Sequence, residues 1–304
     1  MLRFTVIGMV AATMTFTGVS DRAVEADSEI QSVAKLGVYD PTGDYRHAGN
    51  MALEHVFIPW QAFDPADLRR TAQNAAANGR QMLVTVEPWT KAPDWRSGGE
   101  HLFSDITSGG YDDAIRASCS AIAHMEGTVM VRWGHEMEEV TGRYPWARYD
   151  NKGYIAAYRY FVTSCRAIAP RARFVWSPIG HKPLVRYYPG DEYVDVVGLP
   201  VWGYEQADKL WYGRERGLIE AVAEKYQRVA RYGKPVIIAE LGVVGSEDYE
   251  AKWLGSLARV EYAFPLVRSV VYFNMAEPVD WPDGLGRPDW RVSPRKFKQL
   301  SGLI

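Results

Sequence analysis

Two segments of the chain each end an apolar run on a glutamate, and these two glutamates are the first candidates for chemistry. Residues 129–137 read Val-Met-Val-Arg-Trp-Gly-His-Glu-Met, and residues 236–242 read Val-Ile-Ile-Ala-Glu-Leu-Gly. Their glutamates are Glu136 and Glu240. Buried strands of barrel enzymes deliver catalytic side chains at their carboxyl ends. Two glutamates that face each other over an aromatic-lined cleft form the arrangement that hydrolyses glycosidic bonds.

The elements that would position these glutamates are eight β-rich runs, mostly separated by helical segments. The runs lie at residues 35–40, 55–60, 81–89, 129–137, 173–178, 194–200, 236–242 and 267–274. They are almost continuously apolar, which is typical of a parallel sheet buried on both faces. No Gly-x-Gly-x-x-Gly follows the first run, which disfavours an open doubly wound sheet. The sequence therefore predicts an α/β fold, a single-domain (β/α)₈ TIM barrel over residues 27–304.

Helical patterns and two long loops fill the intervals between these runs. Helices are predicted at residues 64–79, 112–125, 154–168, 217–232, 248–262 and 294–299, and loops at residues 90–110 and 138–151. Long loops in a compact domain are often functional. Because the fourth and seventh strands lie across the barrel from each other, we expect Glu136 and Glu240 to face one another at its carboxyl end.

Composition restricts the class of partner. The formal net charge is −2, so the chain carries no overall basic signal for nucleic acid or anionic lipid. The chain has 11 Trp and 18 Tyr, which suit a wet surface that stacks on a ligand, although packing in the core would account for many of them. Two cysteines and six scattered histidines show no metal-ligand spacing. We therefore expect no metal and no organic cofactor.

The N-terminus resembles an export signal. A short positive region, residues 1–3, precedes an uncharged apolar stretch at residues 4–19, and Ala-Val-Glu-Ala at residues 23–26 offers a cleavage site. We expect residues 1–26 to be a cleaved signal peptide and the protein to be secreted or periplasmic. The alternative is an uncleaved membrane anchor.

Cys119 and Cys165 fall in the predicted helices on either side of the fourth strand. An exported protein with two cysteines can hold one disulfide, and these positions allow it. Two buried free thiols remain the alternative.

Five motifs in order resemble family 26 of the glycoside hydrolases. Arg-Trp-Gly-His-Glu-Met (132–137) is similar to the Arg-Pro-Trp-His-Glu-Met signature of that family, and Arg-Tyr-Pro-Trp (143–146) to the aromatic segment that follows it. Glu-Pro-Trp (87–89), the segment at 187–195 and Ala-Glu-Leu-Gly (239–242) resemble the third strand end, the Tyr-Pro-Gly-Asp run and the nucleophile strand. The resemblance implies a retaining β-glycanase with a (β/α)₈ barrel.

The resemblance also assigns roles to individual positions. It makes Glu136 the general acid/base and Glu240 the nucleophile, and it places His135 beside the acid in a sugar subsite. Trp202 stands where the family usually has a tyrosine that hydrogen-bonds the nucleophile, and Tyr204 is the expected substitute. An indole N–H donates a hydrogen bond but cannot replace a phenol in every respect.

A second departure lies directly after the signature, where Glu138 and Glu139 replace the Asn-Gly common in the family. Their charges would either raise the pKa of Glu136 or point to solvent. Both departures put the usual specificity for mannan in doubt, but not the hydrolytic chemistry.

Several further side chains are expected to contact sugar because they lie at predicted strand ends or in the following loops. Besides His135, these substrate-binding candidates are Trp60, Glu87, Trp89, Arg132, Trp146, Trp202, Tyr204 and Trp281, with His181 and Trp211 as additional ones. Structural alternatives exist for some of them. Glu136 could form an ion pair with Arg132, His135 could be a core residue, and Glu87 and Glu277 could be structural.

Together these patterns predict an exported, monomeric endo-β-glycanase that acts on a polysaccharide such as β-mannan or mixed-linkage β-glucan by retaining double displacement. An alternative within the same class is a hydrolase that processes an exopolysaccharide made by its own cell. Alternatives outside the class are a non-catalytic carbohydrate-binding barrel and a purely structural exported barrel.

Overall fold

The computed structural model describes residues 35–139, 141–147 and 150–303. The predicted signal peptide, residues 1–26, lies outside these ranges. The strands are β1 Lys35–Tyr39, β2 Met51–Pro59, β3 Gln81–Glu87, β4 Met130–Trp133, β5 Arg173–Trp176, β6 Val196–Tyr204, β7 Val236–Val244 and β8 Val267–Phe273. The α-helices are α1 Pro65–Ala77, α2 Leu102–Thr107, α3 Asp112–Ala123, α4 Asn151–Ile168, α5 Glu205–Tyr212, α6 Leu218–Val229, α7 Glu247–Leu254, α8 Val260–Ala263 and α9 Pro294–Ser301. Short 3₁₀ helices lie at Lys182–Tyr187, Ala230–Tyr232 and Leu257–Arg259.

The eight strands close into one parallel barrel, which confirms the predicted fold class. Each strand pairs in parallel with the next in the chain, and β1 pairs with β8 to complete the circle. Helices begin at local signals: the Asp64 side chain accepts a hydrogen bond from the backbone N–H of Ala66 at the start of α1, followed by Pro65. In such a barrel all strands end at the same face, where active sites form.

The barrel interior changes from apolar to polar along its axis. Near the amino ends of the strands, inward side chains form an apolar layer that consists of Leu53, Leu83, Val175, Val196, Ile237, Ala239 and Val271. Two residues further along three of the strands come His55, Thr85 and Arg132, each at most 1% exposed. Because strand side chains alternate between faces, the next inward positions reach the open carboxyl end.

Some predicted boundaries were wrong. The predicted loop 90–110 contains helix α2, in which buried Ile106 follows buried Leu102 and Phe103 by one turn in a stretch otherwise rich in Gly and Ser. Helix α5 was missed, and the predicted helix 248–262 is broken near Gly255 into α7, a 3₁₀ turn and α8. Strand β4 stops at Trp133, three residues before Glu136, because Gly134 has a φ of 53°, outside the strand region.

Cys119 in α3 and Cys165 in α4 form a disulfide, with their Cα atoms 5.3 Å apart. This decides between the two alternatives that the sequence left open. The bridge joins the helices that precede and follow β4. Within the described part of the chain, no helix is long and apolar enough to span a bilayer.

Candidate active site

Two adjoining cavities open at the carboxyl ends of the strands. The smaller one, about 410 Å³, is lined by both Glu136 and Glu240. The larger one, about 790 Å³, is lined by Glu136 but not by Glu240. Six side chains line both cavities and therefore mark their boundary: Arg96, Glu136, Arg143, Trp202, Val279 and Trp281. The smaller cavity is otherwise rich in aromatic rings, including Tyr39, Phe57, Trp89 and Phe273.

A bulge in β7 turns Glu240 towards the smaller cavity. Leu199 of β6 pairs with Ile238, but the next residue, Pro200, pairs with Glu240, so Ala239 is an extra residue in β7. Ala239 packs in the interior layer, and regular alternation would therefore direct Glu240 outwards to the helices. The bulge lets consecutive residues both face inwards, which is how such irregularities re-aim a side chain.

Glu136 reaches the cavities from an unusual backbone conformation. Its φ is 55°, in the left-handed region, which costs a non-glycine residue about 1–3 kcal/mol. The backbone N–H of Glu136 donates to the carbonyl oxygen of Ser177 at 2.8 Å, which fixes this turn to the end of β5. Strain of this kind persists where the surrounding structure holds it, and it concentrates at functional sites.

A buried polar chain supports Glu240 from below. An Arg132 Nη1 atom lies 2.6 Å from a carboxylate oxygen of Glu240, and both side chains are buried. Arg132 Nε donates to Thr85 Oγ1 at 2.7 Å, and that oxygen lies 2.8 Å from Nε2 of His55. Burial, followed by the charge of Arg132, holds the pKa of His55 well below 6.5. The structural alternative that paired Arg132 with Glu136 is therefore wrong.

The two glutamates have different electrostatic surroundings. Burial, followed by the charge of Glu240, raises the pKa of Glu136 from 4.5 to about 7. The positive charges of Arg143, Arg132 and Lys225 act in the opposite direction. Glu240 instead has a guanidinium in direct contact, which compensates its charge.

The sequence left open whether Glu138 and Glu139 raise the pKa of Glu136 or point to solvent, and the structure shows a third arrangement. Glu138 is 5% exposed, and one of its carboxylate oxygens accepts hydrogen bonds from the backbone N–H groups of Gly180 and His181 at 2.9 and 3.2 Å. Glu139 accepts from the backbone N–H groups of Thr141 and Arg143. Neither residue is among the groups that shift the pKa of Glu136. The two carboxylates anchor loops on either side of the larger cavity.

The assignment of Trp60 and Trp146 to sugar stacking is wrong. Trp60 is 1% exposed, stacks on Tyr111 and donates its indole N–H to the carbonyl oxygen of Trp89. Trp146 is fully buried, stacks on Tyr144 and donates to the carbonyl oxygen of His135. Neither ring lines either cavity.

The proposed substrate contacts of His135 and Arg132 also need correction. His135 is 1% exposed and Arg132 is fully buried, and neither lines a cavity. His135 lies under Tyr144, with 3.3 Å between its Nε2 and the phenol oxygen, and packs against Phe57 and Trp146. Both residues therefore support the site from beneath.

Other candidates do line the cavities. Glu87 and Trp89 line the smaller one, and the Trp89 N–H donates to a Glu87 carboxylate oxygen at 3.1 Å. Trp202 and Trp281 line both cavities, and Tyr204 lines the larger one. The Tyr204 hydroxyl donates to the carbonyl oxygen of Leu285 at 2.7 Å, so its proton is not available to Glu240 and the expected substitution does not occur.

Sequence reasoning missed three residues of the site. Tyr39 ends β1 and lines the smaller cavity, a position that strand counting could have found. Arg143 lies in a motif quoted for its aromatic residues, and its guanidinium pairs with Glu277 at 2.7 Å. Lys225 lies within α6, where nothing in the helical pattern distinguishes it from a surface lysine. Among the described residues, no cluster of His, Cys, Asp or Glu is arranged to hold a metal ion.

Comparison with known proteins shows which family this site resembles. Residues 111–244 match the model of glycosyl hydrolase family 26, and this stretch runs from α3 to the end of β7 with both glutamates inside it. Over 243 residues the chain is 28% identical to endoglucanase H of Acetivibrio thermocellus. That match covers 75% of this chain and 25% of the relative, so the chain spans about a quarter of the length of the curated relative it matches.

Solved structures share the fold. The catalytic domain of a family 26 endo-β-1,4-mannanase from Bacillus sp. JAMB-750 superposes with a TM-score of 0.62 at 15% identity, over 79% of this chain and 76% of that one. A family 26 β-mannanase from Bacteroides ovatus gives 0.61 at 16% identity, over 90% and 85%. The family match, the closed barrel and the position of both glutamates within the matched stretch relate this chain to the glycoside hydrolases of family 26.

Proposed function

We propose that this protein is an endo-β-glycanase that retains anomeric configuration, with Glu136 as general acid/base and Glu240 as nucleophile. The observation that carries the proposal is a pair of glutamates lining one cavity in opposite electrostatic settings. Titratable groups whose surroundings push their protonation apart indicate which is the acid and which the base or nucleophile. Glu136 holds a proton near neutral pH, whereas the charge of Glu240 is compensated by Arg132.

In the first step, a carboxylate oxygen of Glu240 attacks the anomeric carbon of the sugar in the smaller cavity. The bond from that carbon to the glycosidic oxygen breaks, and the proton of Glu136 passes to this oxygen. The products are a glycosyl ester on Glu240 and a departed sugar chain with a new hydroxyl. In the second step, ionised Glu136 takes a proton from water, whose oxygen attacks the anomeric carbon and displaces Glu240. Both glutamates return to their initial protonation states.

For the substrate, we propose a β-linked polysaccharide with a backbone of the mannan or mixed-linkage glucan type. The names of the similar proteins, endo-β-1,4-mannanase and endoglucanase, support this class. Trp89, Trp202 and Trp281 offer ring surfaces on which sugars can stack.

We further propose that the protein is exported. The signal-like composition of residues 1–26 supports export, as does the disulfide between Cys119 and Cys165. Such bonds persist mainly in oxidising compartments outside the cytosol.

The catalytic roles can be tested with Glu136→Gln and Glu240→Gln on β-mannan and mixed-linkage β-glucan. Glu136→Gln should lower the release of reducing ends by roughly 10²–10⁴-fold, the range for loss of a positioned acid or base. Glu240→Gln, which removes the nucleophile, should lower it by at least that much. Wild-type protein should reduce viscosity early, as internal cleavage does. Glu126→Gln is the matched control because Glu126 is exposed on the segment that leads into β4, away from both cavities. Undiminished hydrolysis by the Glu240→Gln variant would disprove the mechanism.

A further inference from the structure

The two cavities differ in which glutamate they contain, and this difference orients the substrate. Only the smaller cavity reaches Glu240, so the sugar under attack lies there. Glu136 lines both cavities, so the oxygen that it protonates lies at their boundary. The leaving sugar therefore occupies the larger cavity, which is called the leaving-group chamber below. This orientation rests on the proposed function.

The two cavities also differ in charge. Four carboxylates line the smaller cavity, from Glu87, Glu136, Glu240 and Glu277, against two guanidinium groups from Arg96 and Arg143. The chamber has six basic side chains, from Arg96, Arg143, Lys182, Arg216, Lys225 and Arg228. It has five acidic ones, from Glu136, Glu139, Asp208, Glu224 and Asp280. When Glu136 carries its proton, the chamber has two more positive than negative groups, although the whole chain has a net charge of −2.

The acidic side chains of the chamber are already engaged, apart from Glu136. Asp208 and Glu224 pair with Arg216, and Asp280 pairs with Arg287. Glu139 accepts hydrogen bonds from backbone N–H groups of its own loop. These groups therefore do not neutralise the remaining basic residues of the chamber.

Four basic residues of the chamber, Arg96, Lys182, Lys225 and Arg228, have no carboxylate within ion-pair distance in the described parts of the chain. Lys225 and Arg228 lie one turn apart on α6, and each is held by one carbonyl oxygen at 2.6 Å, Lys225 by Pro200 and Arg228 by Gly180. An ammonium has three N–H donors and a guanidinium five, so both retain donors for a ligand. Their charges also help to lower the pKa of His181, after burial, which keeps this neighbour uncharged.

An aromatic surface completes the chamber. Trp211 is 44% exposed and lies nearly parallel to Trp281, with ring centroids 6.0 Å apart and an interplanar angle of 11°. The Trp211 N–H donates to Asp283 at 2.7 Å, which fixes its ring. A sugar ring can stack here while its substituents reach the basic residues.

We propose that the leaving-group chamber binds a sugar that carries a carboxylate, so that the preferred substrate is an acidic variant of the β-linked polysaccharide proposed above. The uncharged sugar is attacked by Glu240, and the uronic acid, or a sugar with an acidic substituent, departs through the chamber. Lys225 and Arg228 bind the carboxylate. The smaller cavity disfavours the opposite register because four carboxylates line it against two guanidinium groups, and among the described residues Glu87 has no basic side chain within ion-pair distance.

The proposal is tested with acidic bacterial exopolysaccharides that alternate neutral and uronic β-linked sugars, each assayed in its native form and after chemical reduction of its carboxyl groups to alcohols. Wild-type kcat/KM should be roughly 10- to 100-fold higher for the native form, as expected for a charge-assisted hydrogen bond. Arg228→Gln should remove most of this preference, and Arg228→Lys should retain it. Lys152→Gln is the control, because it removes one exposed lysine on α4 outside both cavities.

Binding by the Glu240→Gln variant, measured by calorimetry with acidic oligosaccharides, separates the two proposals. One outcome is binding that weakens with added salt and with the Arg228→Gln substitution, while wild-type protein hydrolyses nothing. This outcome would disprove the catalytic proposal and support the acidic ligand. Hydrolysis of native and reduced polysaccharides at equal kcat/KM would overturn the acidic ligand and retain the catalytic proposal. If the protein neither binds the acidic oligosaccharides nor hydrolyses the polysaccharides, both proposals are overturned.

Discussion

Glu136 and Glu240 are the same residue type, and each follows an apolar run, yet their neighbours make them chemically different. Glu136 is buried near the charge of Glu240. Glu240 contacts the Arg132 guanidinium. The sequence paired these residues correctly in one cavity, but it assigned Arg132 to the substrate or to Glu136. Which carboxylate receives the guanidinium depends on the register of β4 against its neighbours.

Because the pKa of Glu136 is raised in the folded protein, we predict that the free energy of unfolding decreases as pH rises. Between its ordinary pKa of 4.5 and its folded pKa of about 7, the folded protein binds a proton that the unfolded chain has released. Stability therefore falls as pH rises through this window and stays lower above it. Glu136→Gln removes the titrating group, so the variant should be more stable than wild type at pH 8, by about 1–3 kcal/mol.

Chemical denaturation at pH 4.5 and pH 8 measures this effect. The advantage of Glu136→Gln should be much smaller at pH 4.5, and the exposed control Glu126→Gln should show no such dependence. A stability difference that is the same at both pH values would contradict the prediction.

At the scale of elements, two local irregularities aim the glutamates. The bulge at Ala239 turns Glu240 inwards, and the left-handed residues Gly134 and Glu136 end β4 early. Alternation alone would predict Glu240 on the outer face. The order of strands and helices could be inferred from hydrophobic pattern, since each run is determined locally. The bulge could not, because it is defined only by the pairing of β7 with its neighbours β6 and β8.

The disulfide between α3 and α4 predicts a loss of stability without loss of activity. Its cysteines are 46 residues apart, and a loop of this length restricts the unfolded chain by an amount worth about 2–4 kcal/mol. The double variant Cys119→Ala/Cys165→Ala should unfold at lower denaturant concentration by that free energy. It should retain activity, since neither cysteine lines a cavity at the carboxyl face. Wild-type protein in reductant, which also lacks the disulfide, is the comparison for the double variant. Equal unfolding midpoints for oxidised wild type and the double variant would refute the prediction.

At the scale of the whole molecule, a net charge of −2 coexists with a positively charged leaving-group chamber. Composition excludes a generally basic surface, but it does not report how charges are distributed. The basic residues of the chamber come from α6, from the segment between α5 and α6, from the segment after β5 and from the loops after β3 and β4. They meet only because the barrel brings these segments to one face.

Export predicts a shortened chain outside the cytosol. Protein recovered from the medium or periplasm should begin near Asp27, as determined by mass spectrometry of its N-terminal peptide. Replacing the apolar residues Val10 and Met14 with Arg should retain the full-length protein in the cytosol, because a signal needs an uninterrupted apolar segment. Full-length protein with its first residues intact in the membrane fraction would favour the uncleaved anchor instead.

The sequence by itself determined the barrel, the two glutamates and their shared face, because apolar periodicity is local and parallel strands bring their carboxyl ends together. Tertiary structure decided which aromatic rings a sugar can reach. Trp60 and Trp146 became core, while Trp89, Trp202 and Trp281 stayed accessible. It also decided that Arg132 pairs with Glu240 and that Lys225 faces the chamber. These outcomes depend on contacts between residues far apart in the chain, which residue types and spacing do not specify.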